Sequence, residues 1–210
     1  YIVTAKGGLK GAEFFLKNQS VTVTETFMMA GVLAKGTTVI KNAAMEPEIV
    51  DLAEFLIKSG AKISGAGTPT ITIKGGKLLS GKKAVYKTMP DRIEAGSFLV
   101  LGALAARELH ITNCNPLHLE SPIEALRSAG AFIETKKSEI IVRSSSQLNA
   151  VDIKTHEYPG FPTDLQAPMT VFLTQTEGES RVFETIFEGR LNYTESLASM
   201  GASITMMDPH

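Results

Sequence analysis

The chain has 210 residues, 43% of them hydrophobic, a formal net charge of -1 at pH 7, four histidines and one cysteine. That length buries a real core in one or two domains. The balanced charge, without a basic run, argues against a nucleic-acid partner, and the lone Cys114 excludes an internal disulfide. His110, His118, His156 and His210 stand too far apart for metal-ligand spacing, no apolar run reaches about 18 residues, and no signal-peptide pattern opens the chain. These features predict a cytoplasmic, metal-free protein with no membrane partner.

The chain opens in Tyr1-Ile2-Val3-Thr4-Ala5, which reads as a strand already under way, and stops in Met206-Met207-Asp208 just after another. Both ends therefore read as cuts in a longer polypeptide. Between them one pattern recurs about every 70 residues, with starts at Leu9-Lys10-Gly11, Leu79-Ser80-Gly81 and Leu148-Asn149-Ala150. Its endings are Gly60-Ala61-Lys62-Ile63, Gly130-Ala131-Phe132-Ile133 and Gly201-Ala202-Ser203-Ile204. A period this long exceeds one helical hairpin and fits a serial array of a compact α/β motif.

In the first copy, residues 12–16 alternate as a strand, and Thr22 with Glu25 has the form of a capping box. An apolar helix (27–34), a strand (37–40) and an amphipathic helix (48–59) with Pro47 near N1 follow, then a C′ glycine at Gly60 and two short strands (61–64 and 70–74). The second copy repeats this order: strand 84–86, Asp91 with Glu94, apolar helix 98–105, strand 109–112, helix 121–129 and Gly130. The third gives strand 151–154, Thr163 with Gln166, helix 169–173, strand 181–183, helix 193–200 and Gly201. Each box lies 38 or 39 residues before its glycine, a recurrence that chance does not readily supply. The first helix of each copy is apolar on nearly every face, which predicts burial on all sides. The unit is β-α-β-α-β-β, with helices inside and sheets outside.

Candidate functional residues gather at the starts of the apolar helices. Asp164 has two readings: an acid in the first helical turn that stabilises the macrodipole, or a carboxylate placed to take a proton from a hydroxyl nucleophile. Asn18-Gln19-Ser20-Val21-Thr22 enters the first apolar helix, whose free N–H groups favour an anion such as a diphosphate, or it is an ordinary capped start. Asp91 and Arg92 hold the same place in the second copy, where a cap with a local ion pair is the plain reading. Arg190 can approach Asp164 or pair with Glu188. Glu46 and Glu48 suit a helix N-terminus, Cys114 reads as a structural thiol behind a strand, and Gly7-Gly8 and Gly75-Gly76 read as turns.

The order of elements and a set of strings together resemble the enolpyruvyl transferases. The strings include Gly36-Thr37-Thr38-Val39-Ile40-Lys41-Asn42-Ala43-Ala44, Glu46-Pro47-Glu48-Ile49-Val50-Asp51, Pro90-Asp91-Arg92-Ile93-Glu94-Ala95-Gly96, Phe161-Pro162-Thr163-Asp164-Leu165-Gln166-Ala167 and Phe187-Glu188-Gly189-Arg190. Within that family the strings are closer to the branch of peptidoglycan synthesis that acts on UDP-N-acetylglucosamine. The resemblance implies an inside-out α/β barrel of six such units in two globes, with residues 1–89 part of the first globe and 90–210 part of the second. It implies transfer of enolpyruvyl from phosphoenolpyruvate to the 3′-hydroxyl of UDP-N-acetylglucosamine, with release of phosphate and no cofactor. By the same resemblance Asp164 is the base. Asn18, Gln19, Ser20 and Val21 face the nucleotide, with Thr22 where relatives often carry Gly, and Ile186 contacts the nucleotide through its backbone. Asp91 and Arg92 fall near the hinge at Met89-Pro90.

The family's cysteine loop, its Lys-Asn pair and its phosphoenolpyruvate-binding arginines have no counterpart in this chain. The expectation is therefore little activity from the chain by itself, completed by the missing halves of the same protein. Two alternatives stay open: a non-catalytic sugar-nucleotide-binding or structural repeat module, and a shikimate-3-phosphate enolpyruvyl transferase, against which the Phe-Pro-Thr-Asp and Asp-Arg-Ile-Glu strings count.

Overall fold

The computed structural model describes residues 2, 4–81 and 84–207. The chain divides into two compact units, residues 1–89 and 90–210. In the first, β1 (Glu13–Phe15), α1 (Val21–Leu33), β2 (Gly36–Lys41), α2 (Pro47–Lys58), β3 (Lys62–Ser64) and β4 (Thr70–Gly75) follow in the predicted order. Strand β1 runs parallel to β2 with Phe14 opposite Ile40, an arrangement that needs the α1 crossover between them. Strand β4 pairs antiparallel with β2 on one side and β3 on the other, giving the order β1-β2-β4-β3.

Alternation along β2 and β4 sends Ile40, Ile71 and Ile73 to one face, where they meet Met28 and Val32 of α1 and Ile49, Ala53 and Leu56 of α2 in one apolar cluster. Helix α2 is amphipathic, as its spacing at i, i+4 and i+7 requires. Helix α1 departs from the expectation of burial on all sides. Met28 and Val32 are buried, but Met29 and Leu33 on the adjacent stripe are 48% and 50% exposed. One sheet and one neighbouring helix offer cover for only part of a helix circumference.

The second unit contains α3 (Arg92–Ala105), β5 (Leu109–Thr112), α4 (Glu120–Ser128), β6 (Phe132–Lys136), β7 (Glu139–Arg143), β8 (Ile153–Lys154), α5 (Gln166–Leu173), β9 (Val182–Phe183) and α6 (Thr194–Ser199). Strands β5, β7 and β6 form an antiparallel sheet in that order, and β8 pairs parallel with β9 across the α5 crossover, as β1 does with β2 across α1. Leu99, Ala103, Leu119, Leu126, Ile140, Val142, Leu165, Met169 and Phe172 join the helices and sheet in a single core. Phe98, Leu101 and Val171 stay exposed on the outer stripes of α3 and α5.

Several predicted elements differ. Residues 84–86 form no strand, because the segment is drawn to α2 instead. The Tyr86 hydroxyl lies 2.8 Å from the Asp51 carbonyl and 2.6 Å from its carboxylate, and its ring meets Phe55 edge-on at 5.4 Å. Burial, followed by the Asp51 contact, pushes that phenol far above its ordinary range. Residues 202–207 form no strand either, and of the predicted opening strand Ile2, Thr4 and Ala5 belong to no strand while Tyr1 and Val3 lie outside the described residues, as do Asp208 and His210.

The capping boxes also resolve differently. The cap of α1 is Ser20, two residues before Thr22, and its hydroxyl accepts from Val23 N–H at 3.4 Å. Asp91 does cap α3, accepting from Ile93 and Glu94 N–H at 2.8 and 3.1 Å. Thr163 opens a 3-10 turn (Thr163–Leu165) ahead of α5, with Pro162 at the cap position and the threonine hydroxyl directed elsewhere.

The three closing glycines are the most faithful part of the repeat. Gly60 N–H bonds Ile57 O and Ala61 N–H bonds Leu56 O, each at 2.9 Å, and the same two bonds recur at Gly130/Ala131 and at Gly201/Ala202. This is the Schellman pattern, and it places the three glycines at φ of 107°, 99° and 101°. A Cβ on Gly60 meets nothing, whereas one on Gly130 falls 2.8 Å from Gln147 O. Gly60→Ala should therefore cost about 1–2 kcal/mol of backbone strain in a denaturant titration, and Gly130→Ala more than that.

On the β5-β7-β6 sheet the His110 ring lies 2.9 Å from Glu108 and 2.8 Å from Glu139, Lys136 bonds Glu139 at 2.8 Å, and Arg143 joins Glu108 to Glu134. Hydrogen bonds to Glu108 and then Glu139 raise His110 above the ordinary histidine range. Bonding from His110 and Arg143 lowers Glu108, and bonding from Lys136 and His110 lowers Glu139. The His110 contribution is complete below about pH 6.5 and fades as pH climbs through its raised value, while the carboxylate contributions are complete above about pH 4.3 and fade as pH falls. Unfolding titrations of the parent and His110→Ala should thus differ most between those limits, and the gap should shrink in high salt because the groups are half exposed.

Candidate active site

The third repeat builds its helix start around one buried leucine. Phe161 is buried, Pro162 holds φ at -70°, and Leu165 at the end of the 3-10 turn is 0% exposed. Leu165 sits against Gly96 of α3, where a Cβ would come within 2.4 Å of Leu165 Cδ1. With Leu165 and Gln166 turned into the core, Asp164 is turned out, and its side chain is 55% exposed.

Of the two partners open to Arg190, the structure selects Asp164, with a guanidinium nitrogen 2.6 Å from Oδ1. A second nitrogen of the same fork donates to Thr163 Oγ1 at 2.9 Å, and the guanidinium lies 5.2 Å from the centre of the Phe187 ring. The Thr163 hydroxyl in turn donates to Glu184 Oε2 at 2.8 Å. Glu184 is fully buried, and its other oxygen accepts from the N–H groups of Ile186 at 2.8 Å and Phe187 at 3.1 Å. Asp164, Arg190 and Ile186, each singled out from sequence, thus share one polar cluster, with Asp164 exposed and Glu184 inside.

Beside this cluster the Tyr193 hydroxyl lies 2.8 Å from both Gln166 Oε1 and Thr170 Oγ1. Burial raises the Tyr193 phenol above its usual range, with the Thr170 contact acting the other way. Among the described residues Gln166 Nε2 is buried without a hydrogen-bond partner, and exchanging the amide atoms would let it donate to the tyrosine oxygen.

The remaining candidates stand apart from this cluster in sequence. In the first unit, Asn18 is exposed, Gln19 and Val21 are half-buried, and Gln19 Nε2 donates to Ala43 O at 3.3 Å. Ser20 takes up the N–H of Val23 with its hydroxyl and that of Thr24 with its carbonyl. Thr22 is exposed within α1, its carbonyl accepting from the Thr26 hydroxyl at 2.7 Å. The first turn of α1 carries no acidic residue, so nothing there repels an anion directly. Further along α1, burial and then the Glu48 carboxylate push Glu25 above the ordinary carboxylate range. In the second unit Asp91 is occupied as the cap of α3, and Arg92 is half-buried with its guanidinium 5.7 Å from the Tyr158 ring centre.

Cys114 is buried, donates to Ile111 O at 3.3 Å and is raised by burial, which suits an unreactive thiol. Among the described residues no group of three His, Cys, Asp or Glu is arranged to hold a metal ion, and no helix is long and apolar enough to cross a membrane.

Sequence reasoning passed over Glu184, Thr163 as a relay, and the pair Gln166 and Tyr193. The signal for Glu184 was available in the repeat. The equivalent strand-end position is Asn42 in the first copy and Asn113 in the second, so a glutamate there breaks the pattern.

The family model of EPSP synthase (3-phosphoshikimate 1-carboxyvinyltransferase) matches residues 2–209. The chain is 49% identical over 201 residues, 95% of its length, to a protein of Solibacter usitatus named UDP-N-acetylglucosamine 1-carboxyvinyltransferase. It is 48% identical over 93% of its length to UDP-N-acetylglucosamine 1-carboxyvinyltransferase 2 of Bacillus subtilis. It covers 48% and 46% of those two proteins, so the chain spans about half the length of the curated relatives it matches. Among solved structures, the enolpyruvyl transferase NikO from Streptomyces tendae superposes with a TM-score of 0.80 at 21% identity, over 96% of this chain and 50% of that one. EPSP synthase from Acinetobacter baumannii follows at 0.56 and 23% identity, over 92% of this chain and 46% of that one. At these identities the structures speak for the fold, which is that of the enolpyruvyl transferases. By its matched model, and by the repeat that carries its helix starts, the chain belongs to the EPSP synthase family and is similar within it to the UDP-N-acetylglucosamine 1-carboxyvinyltransferases.

Proposed function

We propose that the whole protein transfers the enolpyruvyl group of phosphoenolpyruvate to the 3′-hydroxyl of UDP-N-acetylglucosamine and releases phosphate. On this reading it works in the cytoplasm at the first committed step of peptidoglycan synthesis, with residues 1–89 contributing to its first globe and 90–210 to its second. The observation that carries the reading is the outward-facing Asp164 carboxylate, held by Arg190 in a chain 46–49% identical to proteins of that name.

The chemistry asks for a base at a sugar hydroxyl. As the hydroxyl oxygen bonds to C2 of the enolpyruvyl group, its proton has to leave, and a carboxylate within hydrogen-bond reach can take it. A second proton goes to C3, giving a tetrahedral intermediate. Loss of a C3 proton and cleavage of the C2–O bond to phosphate then restore the double bond. Asp164 suits the first proton transfer because one oxygen is fixed by Arg190 while the side chain stays accessible. The guanidinium limits its rotation, so the carboxylate need not be ordered when substrate arrives. The helix start at Asn18, Gln19, Ser20, Val21 and Thr22 is assigned to the diphosphate and the main chain of Ile186 to the nucleotide; Asp91 and Arg92 are assigned to capping and packing of α3.

Asp164→Asn keeps the shape and removes the base, so kcat of the whole protein should fall by about 10²–10⁴-fold in a phosphate-release assay that requires both substrates. Residual activity near that of the parent would exclude Asp164 as the base. Calorimetric titration should show binding of UDP-N-acetylglucosamine and none of shikimate 3-phosphate, and the opposite order would move the protein to the shikimate-phosphate branch. The 210-residue chain alone should release little or no phosphate, since the phosphoenolpyruvate-binding arginines and the cysteine loop have no counterpart in it.

A further inference from the structure

We propose that Glu184 is the positioning residue of this site, a single buried carboxylate that fixes Thr163, and through it Arg190 and Asp164, to the main chain of Ile186 and Phe187. The inference rests on the reading of Asp164 as the base and adds to it what holds that base in place.

An ionised carboxylate is stable in the interior only when its oxygens are hydrogen-bonded and its charge is answered. Glu184 is 0% exposed, and both oxygens are used: Oε1 by Ile186 and Phe187 N–H, Oε2 by the Thr163 hydroxyl. A carboxylate only accepts, so the Thr163 proton must point to Glu184, which leaves a threonine lone pair for Arg190 at 2.9 Å. The rigid guanidinium fork then directs its other nitrogen to Asp164 Oδ1 at 2.6 Å. Donation therefore runs outward from Arg190 in both directions, through Thr163 to Glu184 and straight to Asp164, and the positive charge that answers Glu184 reaches it through one hydroxyl.

The repeat shows that the fold does not ask for this glutamate. Leu16 N–H bonds Lys41 O in the first copy, and Thr155 N–H bonds Phe183 O in the third, so Asn42 and Glu184 occupy the same place after their strands. Asn42 and Asn113 both adopt a left-handed backbone, at φ of 55° and 54°, and the Asn42 amide donates to Leu16 O at 2.9 Å. Among the described non-glycine residues these two alone have positive φ, so Glu184 has left that conformation. Its longer side chain reaches the start of α5 and the 186–190 loop. The one copy that carries the candidate base is the copy that exchanges an amide for a buried acid.

The test is steady-state kinetics of the whole protein with Glu184→Gln, Thr163→Val, the double variant and Thr163→Ser. Glutamine presents an N–H to Thr163 and reverses the bond between them, and valine removes it. Each single change should lower kcat/KM by about tenfold to a hundredfold through misplacement of Arg190 and Asp164, with the thermal midpoint close to the parent's. The double variant should be no worse than the poorer single variant, because both break one string, and Thr163→Ser should restore near-parental rates. Parental kinetics in Glu184→Gln, multiplying effects in the double variant, or losses that track thermal stability would overturn the proposal. If Glu184→Gln does not fold, the Thr163→Val and Thr163→Ser pair decides it. If the parent itself has no activity with these substrates, the functional reading fails, and the string is judged by NMR: Thr163→Val must shift the Arg190 side-chain resonance, and an unmoved signal refutes it.

Discussion

Burial of Leu165 against α3 is the contact on which the candidate site depends. The leucine closes a 3-10 turn and is followed by the equally buried Gln166, so fixing this pair inside leaves the preceding Asp164 on the solvent side. Gly96 makes the approach possible by offering no side chain where Leu165 arrives. With that seat filled, Asp164 has no inward path, and Thr163 on the other side of it is presented to Glu184 and Arg190. A carboxylate on a short turn would ordinarily be loose, and here the apolar core supplies the rigidity that the turn lacks.

The three copies show how a repeated fold acquires one distinctive site. Parallel pairing of the first two strands across a helix recurs in the first and third copies, and a Schellman glycine after the second helix recurs in all three, because each solves a main-chain problem that the copies share. The helix starts differ because the same geometry is used for different ends. Ser20 and Asp91 cap their helices with their own side chains, while in the third copy a proline holds the cap position and the threonine and aspartate after it bond across to the 184–190 segment. Freed from capping, those two side chains are left to bond Glu184 and Arg190.

The apolar helices remain half covered. Met29 and Leu33 on α1, and Phe98 and Leu101 on α3, form stripes beside a face that is already buried. A helix apolar around most of its circumference needs neighbours on more than one side, and the chain spans about half the length of the curated relatives it matches.

The amino-acid sequence by itself determined the repeat, the order of elements and the helix ends. These follow from local chemistry: period-two alternation, proline in a first turn, and glycine where φ turns positive. It also marked Asp164, Arg190 and Ile186 through their strings. It misjudged the caps at Thr22 and Thr163, because a hydroxyl near a helix start has several acceptors in reach and only the folded chain ranks them. It misread 84–86 as a strand, since alternation cannot show that a Tyr86 hydroxyl will find Asp51. The tertiary structure alone decided that Arg190 takes Asp164 rather than Glu188, and that Glu184 lies buried behind both. Those outcomes depend on which residues far apart in the chain arrive within 3 Å of each other, and long-range packing, not local pattern, settles that distance.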